Sequence, residues 1–425
     1  MKRRNLLLGG LGLGIGGTWL ARPSIEGDGK HSAYFQQLNS LLHRENLARP
    51  TMIVDLDRLD HNIAEVRRHI PNDKTYRVVA KSLPAQGLID YAMAKADTSR
   101  LMVFHQPFLN HFVESKPDSD LLVGKPMPIG AAARFYQHYQ ANAFDVGQQL
   151  QWLIDTPQRL KQYAQLAEAQ QLPMRINIEV DIGLHRGGVK DPAVLAGMLK
   201  QIDAHPYLTF SGLMGYDPHV SKAPAILGMQ EREGAMAQHR YHEFMEVWRR
   251  HNGGDGRSNA LTLNAAGSPT FHRWYDNDTA NDLSAGSALL KPLDFDIPTL
   301  ANHQPALFIG TPILKVSDGI EMPIAPLIGQ AQTGWNPNRR KTLFVYGGYW
   351  KAEPVSPPGL LTNPTYGRST NQEMLNSNAQ LQLGVDDYVF YRPTQSEFVM
   401  LQFGDIIAVR GGQIEAVWPV LPQGA

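Results

Sequence analysis

The chain has 425 residues, and 40 lysines and arginines balance 40 aspartates and glutamates. That length has room for two domains, and with no basic stripe or arginine-rich tail neither nucleic acid nor a strongly acidic surface is implied as partner. Cysteine is absent, which fits an exported protein that avoids thiol oxidation. No period of repeat length is visible, which argues against a solenoid or propeller.

Lys2, Arg3 and Arg4 open a cationic segment, and a glycine-rich apolar stretch follows to Leu20. It is too short and too rich in glycine for a good membrane span. Arg3-Arg4 followed by Leu6-Leu7 resembles a twin-arginine export signal, with an uncleaved anchor as the alternative. Residues 1–30 are therefore set apart as signal and linker, and a periplasmic or otherwise exported protein is expected.

Residues 31–46 have the mixed polarity of a surface helix, which Pro50 breaks. A strand over 51–56 follows, and Asp57 is expected to cap a helix over 58–69 that carries Leu59, Ile63 and Val66 on one face. After a turn at 71–74, the run 76–81 is too apolar to alternate, as expected of a strand covered on both faces. It ends on Lys81. Further strands are predicted over 100–104, 120–124, 150–154, 175–181, 208–215, 261–265 and 282–289. Helical patterns fill most gaps, most clearly at 129–139, 156–171, 191–205 and 229–251. Eight such units make an α/β fold, a closed (β/α)8 TIM-type barrel. An open doubly wound sheet is the competitor, although no GxGxxG follows an early strand.

Beyond residue 300 proline, glycine and aromatic residues become frequent. Short extended runs are predicted over 313–316, 342–346, 380–383, 388–391, 398–401 and 405–409, with Gly411-Gly412 turning a hairpin into 414–417. The stretch 354–364 reads as a proline-rich loop. The expected division is a barrel with its N-terminal lead-in over 31–300, then a small all-β domain over 301–425.

In a parallel barrel the residues just after the strands share one rim, where active sites form. Lys81 there is either a nucleophile toward carbonyls or a strand-end lysine reaching for water. Arg186, among the glycines of Glu179-Val-Asp-Ile-Gly-Leu-His-Arg-Gly-Gly-Val189, offers a planar donor fork to a ligand oxygen or pairs with Asp181. Tyr216 can hold a flat ligand or plug the barrel mouth, and His219 is a ligand group or a loop histidine. Asn264, Gly267, Ser268 and Thr270 after the seventh strand, and Gly286 and Ser287 at the eighth, combine hydroxyls with backbone N–H groups. That combination suits a phosphate at the strands where this fold often places one. Taken together these residues describe a holder for pyridoxal 5′-phosphate, with Lys81 forming the Schiff base.

Val-Val-Ala-Lys81-Ser, the block 179–189, Gly-Leu-Met-Gly-Tyr216 and the opening Met52-Ile-Val-Asp-Leu-Asp-Arg-Leu-Asp-His-Asn62 together resemble the alanine-racemase N-terminal barrel superfamily. The closer likeness is to its D-threonine aldolase and D-serine dehydratase branch. The resemblance covers residues 50–292 and continues more weakly to the end. It implies fold-type III pyridoxal-phosphate binding with Lys81 as the covalent lysine and Arg186 near the ring. Tyr216, 267–270 and 286–287 would hold ring and phosphate, and a homodimer is plausible. In that branch a histidine and a cysteine or aspartate in the β-domain bind a divalent metal. The matching segment here leaves only Gln395 and Glu397, a poor transition-metal set, so no tightly bound metal is expected.

The leading expectation is a lyase acting on a D-β-hydroxy amino acid. An amino-acid racemase is the alternative, with Tyr346, Tyr349 and Tyr366 as candidates for its second base. A non-catalytic pyridoxal-phosphate binder is the third.

Overall fold

A computed structural model describes residues 22–140, 143–253, 260–364 and 366–423. Residues 1–21 of the expected twin-arginine leader lie outside the described residues. The chain divides into two compact units. One comprises Val54–Ala306, Gln395–Ala408 and the described residues from Val417 onward. The other comprises the described residues up to Ile53, Leu307–Thr394 and Val409–Ala416.

Strand β1 covers Thr51–Asp55, and the helix Leu56–Arg68 follows at once. Its cap is Asp55 and not Asp57 as expected. Asp55 still has extended backbone and its side chain accepts from the Arg58 backbone N–H, so the helix starts earlier than the sequence suggests.

The first unit is built on eight parallel strands: β2 Thr75–Val79, β3 Arg100–Val103, β4 Asp120–Val123, β5 Leu150–Ile154, β6 Met174–Glu179, β7 Leu208–Gly215, β8 Thr262–Ala265 and β9 Asp282–Ala285. They pair in chain order, and β9 returns to β2 with Tyr76 opposite Leu283, closing the barrel. Closure removes the doubly wound alternative. Parallel neighbours need long crossovers, which are supplied by helices such as Gln86–Lys95, Pro157–Gln170, Pro192–Asp203 and Met229–His251. Thr156 and Asp191 cap two of them by accepting from the backbone N–H groups of Arg159 and Ala193.

The N-terminal end of the barrel is closed by charge. Arg77, fully buried, donates to Asp282 Oδ2 at 2.6 and 2.8 Å and pairs with Asp120 at 2.7 Å. Arg100 and Arg175 stand 3.5 and 3.6 Å from the same two carboxylates. At this end of a barrel such a network serves stability.

The C-terminal residues of the unit are stitched beside the Lys81 segment. Val420 bridges Ala85, and the Leu421 N–H donates to Pro84 at 2.9 Å. The Trp418 indole lies so close to Gly87 that a Cβ there would sit 2.2 Å from its Cδ1.

The second unit contains β10 Leu307–Asp318, β11 Lys341–Tyr346, β12 Ala352–Ser356, β13 Leu361–Thr362, β14 Gln372–Ser377 and β15 Tyr388–Pro393, and the registers described among them are antiparallel. The strand expected at 380–383 is absent. The strand that pairs with β11 there is β14, with Leu375 opposite Leu343, and Asn378 Oδ1 turns the chain after it by accepting from the Gln380 N–H. The proline-rich stretch contributes β13 and the end of β12. Gly411 and Gly412 turn between β16 Asp405–Arg410 and β17 Gln413–Pro419 at φ of 54° and 76°, a conformation glycine reaches without strain. Residues 398–401, expected as a strand, lie mostly within the short helix Ser396–Met400.

Candidate active site

Every strand of the barrel ends at one cavity of about 680 Å³. The chain leaves β2 through the 3-10 turn Ala80–Ser82, so Lys81 is the middle of a tight turn and not the last residue of the strand. Ala80 and Ser82 are buried on either side, which fixes where the lysine stem starts. Its Nζ donates to Glu397 Oε2 at 2.8 Å and lies 5.5 Å from the centre of the Phe104 ring. The amine thus faces the cavity in the grip of a carboxylate.

Next to it is a nest of small residues. The Ser82 and Ser287 hydroxyls are 3.0 Å apart. Ser268 Oγ accepts from the backbone N–H groups of Gly286 and Ala288 at 3.1 and 3.0 Å. A Cβ on Gly267 would fall 2.6 Å from Tyr216 Cε2, so this glycine is what lets the loop pass the ring. Thr270 and Asn264, expected as ligand contacts, do not line the cavity and brace it from behind. Thr270 Oγ1 accepts from the Gly267 N–H and donates to buried Asp217 at 2.5 Å, while Asn264 donates to Ser284 Oγ at 2.7 Å. Asp217 also accepts from the Trp274 indole at 2.9 Å, and burial pushes its carboxyl upward against these bonds.

Arg186 is not the partner of Asp181. Asp181 instead accepts from the backbone N–H groups of Gly183 and His185 and pairs with the His185 ring at 2.8 Å, which pins the loop and leaves Arg186 to the cavity. The Arg186 guanidinium lies 5.1 Å from the centre of the Tyr216 ring. Below it Glu179, the last residue of β6, is pushed up to about 7 by burial and by Asp155, against the pull of Arg186. His219 starts a short helix and does not line the cavity.

Lys81, Arg186, Tyr216, Gly267, Ser268, Gly286 and Ser287 therefore border one space. Sequence reasoning passed over Asp155 and Glu179, although both sit at strand ends and the rim rule would have found them. The sequence offers Glu397 only as a candidate metal ligand. Gln395 donates to Asp294 at 3.0 Å, so the two side chains of that segment turn to different partners. One amide and one carboxylate so engaged do not fit a transition metal.

A barrel whose strand ends gather a lysine, an arginine–tyrosine pair and a hydroxyl-rich nest defines a cofactor-binding α/β barrel. The chain belongs to the family of the alanine racemase N-terminal domain, whose model matches residues 54–292. Enzymes of this family depend on pyridoxal phosphate. Among solved structures, the D-threonine aldolase from Filomicrobium marinum is similar at 17% identity, a TM-score of 0.68, and coverage of 88% of this chain and 98% of that one. The D-threo-3-hydroxyaspartate dehydratase from Delftia sp. HT23 follows at 15% identity and a TM-score of 0.67, covering 88% and 97%. The alanine racemase from Bacillus anthracis with bound L-Ala-P has 16% identity and a TM-score of 0.64, covering 87% and 97%. No curated protein sequence matches the chain.

The residues fit the family's cofactor. Lys81 would offer a cavity-facing amine to its aldehyde, and the Ser82, Ser268 and Ser287 hydroxyls would offer donors to its phosphate.

Proposed function

We propose that the chain is a pyridoxal-phosphate-dependent lyase acting on a D-β-hydroxy amino acid through Lys81, without the metal that assists its branch. The observation that carries this is the placing of the Lys81 amine and the hydroxyl nest on one cavity. The substrate class draws on the names of two structural neighbours, a D-threonine aldolase and a D-threo-3-hydroxyaspartate dehydratase.

When bound, the cofactor draws electrons from the substrate Cα and so eases the breaking of bonds at Cα and Cβ. The protein's own residues do the rest. The Ser268 and Ser287 hydroxyls would hold the phosphate end. Arg186, stacked against Tyr216, would offer its donor fork to an oxygen of the ring. Phe104, Phe108, Phe398 and Leu401 line the remaining wall and limit water. The Lys81 amine, which faces the cavity, would be the residue to act as base toward the substrate Cα.

Incubation with D-threonine and D-serine, with and without EDTA, tests the proposal. Glycine plus aldehyde, or pyruvate plus ammonia, is expected whether or not the chelator is present. Formation of only the opposite enantiomer would favour the racemase, whose candidate bases Tyr346, Tyr349 and Tyr366 are exposed in the sheet unit. A stable chromophore with no product would favour a cofactor binder. Export by the twin-arginine route and a homodimeric state belong to the same proposal, and cell fractionation and sedimentation test them.

A further inference from the structure

The helix Pro326–Trp335, in the connection from β10 to β11, is turned inside out. Its small and polar residues face the sheet unit. A Cβ on Gly329 would lie 2.3 Å from the Ile320 carbonyl oxygen, and Thr333 Oγ1 accepts from the Ile320 N–H at 3.0 Å. Its large apolar residues point the other way. Leu327 is 77% exposed, Ile328 and Trp335 are half-exposed, and Ile324 just before the helix is 97% exposed. At about 100° per residue, Leu327, Ile328, Ala331 and Trp335 fall within about 100° of arc, on the side opposite Gly329 and Thr333. A lone exposed leucine is ordinary, whereas a contiguous apolar stripe marks a contact surface.

Two further observations indicate what covers it. Arg22, the first described residue, donates to the carbonyls of Trp335 at 3.0 Å and Gly334 at 3.4 Å. The apolar, glycine-rich stretch that ends at Leu20 stops two residues earlier in the chain, so connectivity alone holds its end within about 7 Å of Arg22. The segment that resembles an export signal, itself bilayer-seeking, therefore joins the protein at the end of this helix. The helix carries no charged residue, and it is flanked by Glu321 before and by Arg339, Arg340 and Lys341 after. Asp318 answers Lys341, so the flanks stay cationic on balance, which suits anionic head groups. No helix among the described residues is long and apolar enough to cross a membrane. The contact is then with the surface, about 15 Å of helix lying along it.

We propose that this face rests on a phospholipid bilayer, with Trp335 at head-group level and the run 339–341 over anionic lipid. The inference is independent of the reaction catalysed.

Cysteine is absent from the chain, so Ala331→Cys gives the full-length protein a single site for an environment-sensitive fluorophore in the middle of the stripe. Vesicles of phosphatidylglycerol and phosphatidylethanolamine should shift its emission to the blue, and lipids brominated high in the acyl chain should quench it by about half. Vesicles of phosphatidylcholine alone should do so at least about threefold less. In flotation with the anionic vesicles, the double variant Leu327→Gln/Ile328→Gln should lower the bound-to-free ratio by about tenfold or more. Should that variant fail to fold, the label decides alone. A label that stays in water while the protein floats means that the leader binds by itself, and overturns the proposal. Undiminished flotation of a folded double variant, or an equal response to the uncharged vesicles, does the same. So does a label that becomes shielded without vesicles as protein concentration rises, which makes a second copy the occupant.

Discussion

Gly286 and Ser82 pack so closely that one added carbon on the glycine would fall 2.9 Å from both the Cβ and the Oγ of the serine, and 2.8 Å from Val79 Cβ. Since Ser82 also meets Ser287 and directly follows Lys81, this contact ties the first barrel strand to the last at the point where phosphate would bind.

Replacing Gly286 by alanine should therefore push the two segments apart. Overpacking of this kind costs about 1–3 kcal/mol, and cofactor affinity should fall by tenfold or so as the donors lose their spacing. Equilibrium dialysis against pyridoxal phosphate and thermal melting read the two effects separately, and a variant that binds as tightly as the parent would contradict the assigned cradle.

Borohydride reduction of the loaded protein should fix cofactor to a single residue, Lys81. Lys81→Ala should incorporate none by this route yet unfold within about 1 kcal/mol of the parent, because its ion pair with Glu397 is half-exposed. Peptide mapping of the reduced protein decides the matter.

Glu179 makes stability depend on pH in a defined direction. Its carboxyl is raised from 4.5 to about 7 in the fold, mainly by burial. The folded state then holds a proton the unfolded state has released, so this residue's contribution to stability is greatest below pH 4.5 and is lost as pH rises toward 7. Between pH 5 and pH 8 the melting temperature of Glu179→Gln should fall less than that of the parent. Parallel curves for the two proteins would show that the carboxyl is not perturbed.

Asp282→Ala should destabilise the barrel by about 3–5 kcal/mol, because fully buried Arg77 would lose a charged partner it cannot replace with water. Denaturant titration measures this. A loss below about 1 kcal/mol would mean that Asp120 alone satisfies the guanidinium.

The eight barrel strands were legible because short runs rich in apolar residues recur between helical patterns, as in Leu121-Leu-Val123 and Trp152-Leu-Ile154. Their ends were less so. Ala80 and the residues after Ala285 continue the apolar or small-residue character of their strands although the backbone has already turned. The β-rich half misled for a related reason. Residues 398–401 are apolar enough for a strand, and only their docking as a short helix in the barrel unit decides otherwise. The pairing of Lys81 with Glu397 spans 316 positions, so no local spacing could signal it. Asn264 and Thr270 show the opposite error: their chemistry suits a ligand, but the fold spends it on Ser284, Gly267 and Asp217.

Glu397, and the segment from Trp418 to Leu421 that is sewn to the residues after Lys81, come after all eight barrel strands in the sequence. A ribosome that has already emitted all eight strands has still not delivered them. The nascent barrel accordingly has an open flank, and its key amine lacks its counter-ion until those later residues are made. A chain stopped between Ala306 and Gln395 would hold all eight strands and still lack the part of the pocket wall that Glu397, Phe398 and Leu401 supply.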